Sequence, residues 1–118
     1  MSETRSSLSK KKSRPIAKGT PPLSKTVIAE RMRSLPGWTN VRGKAIRKEF
    51  AFKDFHATMK FVNKVADIAN AQDHHPDMEV GYNRCVVTYS THSVGGLSEN
   101  DFICAAKVEA LQRRSRAH

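Results

Sequence analysis

Only two cysteines, Cys85 and Cys104, occur among 118 residues, too few and too widely spaced for a disulfide framework or a CxxC metal or redox pair. Both read as buried, reduced thiols. No apolar run approaches the roughly 18 residues that a membrane span needs, and no apolar signal core stands near the N-terminus. A soluble, cytoplasmic protein is the expectation. Acidic side chains are scarce: eleven Asp and Glu stand against 21 Lys and Arg, for a formal net charge of +10.

That imbalance invites a nucleic-acid reading, in which clustered cations neutralise phosphates. Its distribution argues against one. Met1 to Lys25 holds seven basic residues and one acid, Gln112 to His118 adds Arg113, Arg114 and Arg116, and the rest carries eleven basic against ten acidic side chains. The central part is nearly neutral, so nucleic acid is expected only as a weak ligand of the tail. Residues 1–22, with Lys10-Lys11-Lys12, several prolines and many serines, have too little apolar surface to offset their ordering entropy and read as a disordered basic tail. A solubilising tail, a nuclear-import signal, a transit peptide and a weak anion binder are all consistent with that composition. Residues 23–112 read as one folded domain, and 113–118 as a second basic tail.

Within the domain, Val27, Ile28, Met32 and Leu35 recur at helical spacing until Pro36-Gly37 stops them. Trp38 to Arg42 and Ala45 to Phe52 form a strand pair about Gly43-Lys44. Asp54 caps a long helix reaching about Ala71, with one apolar stripe of Phe55, Met59, Val62, Ala66 and Ala69 and a second of Phe61, Val65 and Ile68. One small sheet needs only one stripe, so the second suggests either core packing or burial against another subunit. Asp77 to Tyr82 and Arg84 to Thr91 form a second hairpin. Ser98-Glu99-Asn100-Asp101 has capping-box spacing ahead of a last helix to about Leu111. The expected fold is α+β, a four-stranded antiparallel sheet with three helices packed on it in the order α-β-β-α-β-β-α.

Three of the five histidines gather in Asp73-His74-His75-Pro76 and Ser90-Thr91-His92. Imidazole both gives and takes protons near neutral pH, so the trio reads first as proton-transfer chemistry. Three imidazoles around Zn²⁺ are a weaker alternative, because adjacent histidines on an extended segment diverge and no carboxylate or thiolate motif accompanies them.

With His74-His75-Pro76, then five residues to Tyr82, nine more to His92 and eight more to Asp101, the chain resembles the pterin-4a-carbinolamine dehydratase family. That family is also known as dimerisation cofactors of a homeodomain transcription factor. Gly37-Trp38, Phe50-Ala51-Phe52-Lys53-Asp54-Phe55 and Gly96-Leu97-Ser98 support the resemblance, which spans Leu23 to Leu111. It implies dehydration of 4a-hydroxytetrahydrobiopterin, a 4a-hydroxytetrahydropterin, to the quinonoid dihydropterin and water. This is a recycling step after aromatic amino-acid hydroxylation, in a homodimer or homotetramer without metal or redox cofactor. Catalysis is expected from His74, His75 and His92, with His74 and His92 moving protons and His75 holding the ring. Asp73, His74, His75, Pro76, Thr91, His92, Ser93 and Val94 are expected to bind substrate. The family's usual Glu four residues before the histidine pair is Asn70 here, which leaves its tuning role open or passes it to Asp73. Met78 stands where many relatives place Trp. Asp101 is expected to act as a helix cap rather than in catalysis. The competing reading is a non-enzymatic module, cytoplasmic or also nuclear, that binds a transcription factor through the Phe61, Val65, Ile68 stripe.

Overall fold

Asn40, Gly43 and Gly96 set the geometry near the future site. Asn40 Oδ1 accepts the Gly43 N–H at 2.7 Å to close the first hairpin, and Gly43 takes the left-handed φ of 72° that its turn requires. In the computed structural model, which describes residues 5–116 and side chains from 7 to 112, the elements follow in order. They are α1 (Arg5–Lys10), α2 (Lys25–Met32), β1 (Thr39–Val41), β2 (Ala45–Ala51), α3 (Phe55–Gln72), β3 (Asp77–Val80), β4 (Arg84–Tyr89), a 3-10 turn (His92–Val94) and α4 (Glu99–Arg116). The strands make one antiparallel sheet, β1-β2-β4-β3. The expected α-β-β-α-β-β-α order is present, preceded by the short α1.

One face of the sheet packs on the helices. Ile46 and Phe50 of β2 and Cys85, Val87 and Tyr89 of β4 point the same way, as period-two alternation requires, and all are buried. They meet Phe61 and Val65 of α3 and Phe102 and Val108 of α4 in a single core. Asp54 caps α3 by accepting the Ala57 N–H at 2.8 Å. Thr58, fully buried, ties that helix to the second hairpin by donating to the Tyr82 carbonyl at 2.9 Å.

Two expectations change here. Phe61 and Val65, candidates for a partner-binding stripe, lie inside the monomer core. Ile68, the third residue of that stripe, is half-buried, as are Met59, Val62 and Ala66 of the other. The composition of residues 1–22 predicts disorder, but from residue 5 onward this segment lies along α4. Leu8 is fully buried there, Ser9 accepts from Lys107 Nζ at 2.7 Å, and Arg14 exchanges two hydrogen bonds with the Asn100 side chain (3.0 and 2.7 Å). The reason is α4 itself: Phe102, Ile103, Cys104, Ala105, Ala106 and Val108 are all buried, a wider apolar surface than the sheet alone can cover. The N-terminal tail beyond the described residues, Met1 to Thr4, and the end of the C-terminal one, Ala117 and His118, lie outside this description.

Candidate active site

Helix α3 ends at Asp73, whose backbone turns into the left-handed region (φ 51°, ψ 43°), and the His74 N–H returns to the Ala69 carbonyl at 3.1 Å. Asp tolerates this conformation better than most residues. Pro76 then holds the chain extended into β3. The turn separates the two histidines. His74 goes inward, its side chain only 12% exposed, whereas His75 stays exposed and its Nε2 lies 3.3 Å from Asn70 Oδ1.

The inward histidine meets a buried carboxylate. Asp101, in the first turn of α4 and 0% exposed, accepts from His74 Nε2 through Oδ1 at 2.6 Å. Its Oδ2 accepts the Thr91 hydroxyl at 2.8 Å and the Ser98 backbone N–H at 2.9 Å. Because the single Thr91 proton goes to Asp101, the Ser98 hydroxyl is the donor in the 2.6 Å bond between the two hydroxyl oxygens. Burying an ionised carboxylate costs several kcal/mol unless its lone pairs are filled, and here three donors fill them. The Nε2 proton is thereby held toward Asp101, which leaves Nδ1 of neutral His74 as the nitrogen able to exchange a proton with a ligand.

This arrangement goes beyond a helix cap. The expected capping box is half formed: Asp101 satisfies the Ser98 N–H, while the Ser98 hydroxyl turns to Thr91. The carboxylate also serves His74, the role that sequence reading left open or gave to Asp73. Asp73 closes α3 and stays exposed.

Tyr89 forms the wall behind His74. The two rings lie nearly parallel, 9° apart, with centroids 5.9 Å apart. Tyr89 is fully buried and its hydroxyl has no hydrogen-bond partner among the described residues. Burial pushes its pKa far above the usual tyrosine value, and the Cys104 thiol and Asp101 carboxylate push it further the same way. The sign follows: the folded state holds this proton where the unfolded state releases it. Its stabilising effect is intact below about pH 10 and is lost as pH rises beyond. Tyr89→Phe, which removes an unpaired buried hydroxyl and keeps the ring, is expected to be neutral or to stabilise by about 1 kcal/mol near pH 7. It should also shift the alkaline unfolding midpoint upward, as urea titrations at pH 7 and above pH 10 would read.

Beside this network a recess of about 220 Å³ is lined by Lys44, Ser90, Thr91, His92, Gly95 and Gly96. Thr91 joins the two. Its N–H binds the Gly96 carbonyl at 2.9 Å, its hydroxyl faces Asp101, and it lines the recess. His92 begins the 3-10 turn and is exposed at the rim. That turn closes at Gly95, whose φ of 70° suits glycine and whose N–H binds the His92 carbonyl at 3.0 Å. Ser93 is exposed, Val94 is buried, and Pro76 is half-buried beside His75. Gly96 is tightly enclosed: a Cβ there would come within 3.0 Å of Pro22 Cβ and 3.4 Å of the Gly43 carbonyl oxygen.

Of the anticipated residues, the structure gathers His74 and Thr91 around Asp101 and places His92 next to them. His75 faces outward beside them, toward Asn70. Among the described residues no three His, Cys, Asp or Glu side chains are placed to hold a metal ion, and no helix is long and apolar enough to cross a membrane. Sequence reading missed Lys44, Ser98 as a side-chain donor, and Tyr89. A signal for Lys44 existed in the register: Ile46 faces Tyr89 across β2 and β4, so two residues further along each strand Lys44 comes opposite Thr91.

Comparison with known proteins bears on this constellation. A family model described as pterin 4 alpha carbinolamine dehydratase matches residues 21–111. A protein of Nitrosospira multiformis provisionally named pterin-4-alpha-carbinolamine dehydratase is 55% identical over 111 residues, covering 94% of this chain and 97% of its own. A Bdellovibrio bacteriovorus protein of the same provisional name is 49% identical over 115 residues, 94% of this chain and 91% of that one. Among solved structures, a transcriptional coactivator/pterin dehydratase from Brucella melitensis superposes with a TM-score of 0.72 at 40% identity, over 75% of this chain and 96% of its own.

Proposed function

Since this chain belongs to the pterin-4-alpha-carbinolamine dehydratase family, we propose that it is a hydro-lyase converting a 4a-hydroxytetrahydropterin to the quinonoid dihydropterin and water. The observation that carries this reading is the buried Asp101 carboxylate, bonded at once to His74 and to Thr91, the residue before His92.

Dehydration breaks the C4a–O bond and the N5–H bond and makes a C4a=N5 double bond. One group protonates the departing hydroxyl, one accepts the N5 proton, and the proton count balances. His74 suits the base. Its Nε2–H is fixed on Asp101, its Nδ1 accepts the N5 proton, and the resulting imidazolium is stabilised by the carboxylate. His92, exposed at the rim of the recess, suits the acid, since a solvent-facing imidazole recovers its proton from water after each turnover. His75 and Pro76 border the pterin, with His75 held by Asn70, and Thr91, Ser93 and Val94 offer backbone and hydroxyl contacts to its polar edge. Asp73 serves the site by setting the turn that parts the two histidines. No metal or redox cofactor enters this chemistry. The reaction belongs in tetrahydrobiopterin recycling in the cytoplasm, and residues 23–112 constitute the dehydratase domain, assembled as a homodimer or homotetramer.

The test is turnover of freshly generated 4a-hydroxytetrahydropterin by the pure protein. His74→Ala and His92→Ala, both folded by circular dichroism, are each expected to lower kcat by about 10²-fold or more, with His75→Ala acting mainly on KM. Undiminished turnover in both variants would overturn the histidine mechanism. No turnover in the wild-type protein would favour a second reading, suggested by the coactivator name of the Brucella melitensis relative, in which the chain binds a transcription factor.

A further inference from the structure

Between the N-terminal segment and the start of α4 lies a cleft of about 950 Å³, within the range of small-molecule sites and separate from the recess at His92. Its two kinds of wall differ sharply. Lys10, Lys11, Lys12 and Arg14 make its basic wall, and Ile16, Leu23 and Ile103 bring apolar surface. Among the described residues no carboxylate pairs with Lys10, Lys12 or Arg14. The one carboxylate in the wall, Glu99, already accepts from Arg31 Nε at 2.8 Å.

The frame of this cleft is fixed by main-chain and amide groups rather than by its cationic side chains. Ser13 N–H binds Gln72 Oε1 at 2.8 Å, and the Arg14 main chain is gripped from both sides by the Asn100 amide. The side chains of Lys12 and Arg14 are therefore not needed to hold the segment in place. Positive charge is also felt beside the cleft. Lys107, next to this segment, has its ammonium disfavoured first by burial and then, although the Cys104 thiol acts the other way, by the positive charge of Lys12. Cations crowded in this way are what a phosphate group relieves. An anion alone would leave the apolar wall wet, and a plain aromatic ring would leave three cations unmatched.

We propose that this cleft binds a nucleotide, with the base against Ile16, Leu23 and Ile103 and the phosphates on Lys10, Lys12 and Arg14. This site is independent of the dehydratase reaction and of the histidines assigned to it. The chemistry is shared by a free nucleotide and by a nucleotide unit of a single strand, and the proposal is for the free ligand.

Isothermal titration of the full chain with ADP, adenosine and pyrophosphate tests it. ADP is expected to saturate one site per chain and to bind at least about tenfold more tightly than either fragment. Lys12→Ala and Arg14→Ala are each expected to weaken ADP by about tenfold, the loss of one charge-assisted contact, with pterin turnover unchanged. Ile16→Ser should weaken ADP and leave pyrophosphate as it was. Equal affinities for ADP and pyrophosphate, no measurable ADP binding at millimolar concentration, or ADP binding unaffected by the Lys12→Ala, Arg14→Ala double variant would each overturn the proposal. So would an oligonucleotide that binds without being displaced by ADP, since a basic segment holding a phosphate backbone would then be sufficient.

Discussion

Asp101→Asn is expected to lower kcat/KM by about a hundredfold or more and to destabilise the fold by about 2–3 kcal/mol. The carboxylate accepts on both oxygens, from His74 on one side and from Thr91 and the Ser98 N–H on the other. An amide has one acceptor oxygen. If it faces His74, its NH₂ confronts the Ser98 N–H; if it is flipped, the NH₂ confronts His74 Nε2 and forces the imidazole into the other tautomer, with Nδ1 protonated and unable to accept. The first orientation leaves buried donors face to face, and the second keeps the hydrogen bonds but loses the tautomer that can accept a proton and the charge that strengthens all three bonds. A pure helix cap would behave differently, losing about 1 kcal/mol with turnover intact. Measuring kcat/KM as a function of pH together with urea unfolding separates the two, because only a carboxylate that serves His74 moves the kinetic profile.

Glu109→Ala should cost about 2–4 kcal/mol of stability without a comparable fall in turnover. Glu109, buried on α4, accepts the Trp38 indole N–H at 2.9 Å and pairs with Lys48 of β2. Removing it strands an indole donor inside the core and leaves the partly buried Lys48 ammonium, 4.9 Å from the Phe50 ring centroid, without its carboxylate. Glu109→Gln, which keeps one acceptor and loses the charge, should fall between wild type and Ala. Thermal unfolding of the three proteins at one pH is the measurement. A loss below about 1 kcal/mol for Ala would mean that solvent reaches Lys48 and Trp38 more freely than their burial indicates.

How far these features could be read from the chain depends on how local their causes are. The long helix after Asp54 is set by a cap and an apolar period inside eighteen residues, and it forms where those signals place it. The two hairpins follow from alternation and from Gly43-Lys44, so the sheet and its order were legible. The two-striped face of that helix was legible as a pattern and ambiguous as to its cover, because a stripe does not say whether a sheet, a helix or another subunit lies on it. Phe61 packs on Phe50 and Phe52 of the sheet side, ring centroids 4.7 and 5.0 Å away, and Val65 lies in the same core.

The site divides in the same way. That His74, Thr91 and His92 belong to one candidate site was an expectation from chemistry and spacing. The bond from His74 to Asp101 was hidden by an adequate local explanation, since Ser98 three residues earlier accounts for a carboxylate at that position. Only the fold shows that His74, 27 residues away in sequence, reaches its other oxygen. The docking of residues 5–16 was illegible for the opposite reason. Composition weighs all residues alike, and a segment of lysines and serines can be held by one leucine and a few backbone hydrogen bonds once α4 offers a surface.

That docking also sets an order of events during synthesis. This segment is synthesised well before its partners on α4: Ser9 waits for Lys107 and Arg14 for Asn100, separations of 98 and 86 residues. At translation rates of about 5–20 residues per second, roughly five to twenty seconds pass between the synthesis of Ser9 and that of Lys107. A lysine-rich, serine-rich segment suits that interval, because it stays hydrated and does not aggregate. Leu8 and the hydrogen bonds to Lys107 and Asn100 fasten it when α4 arrives.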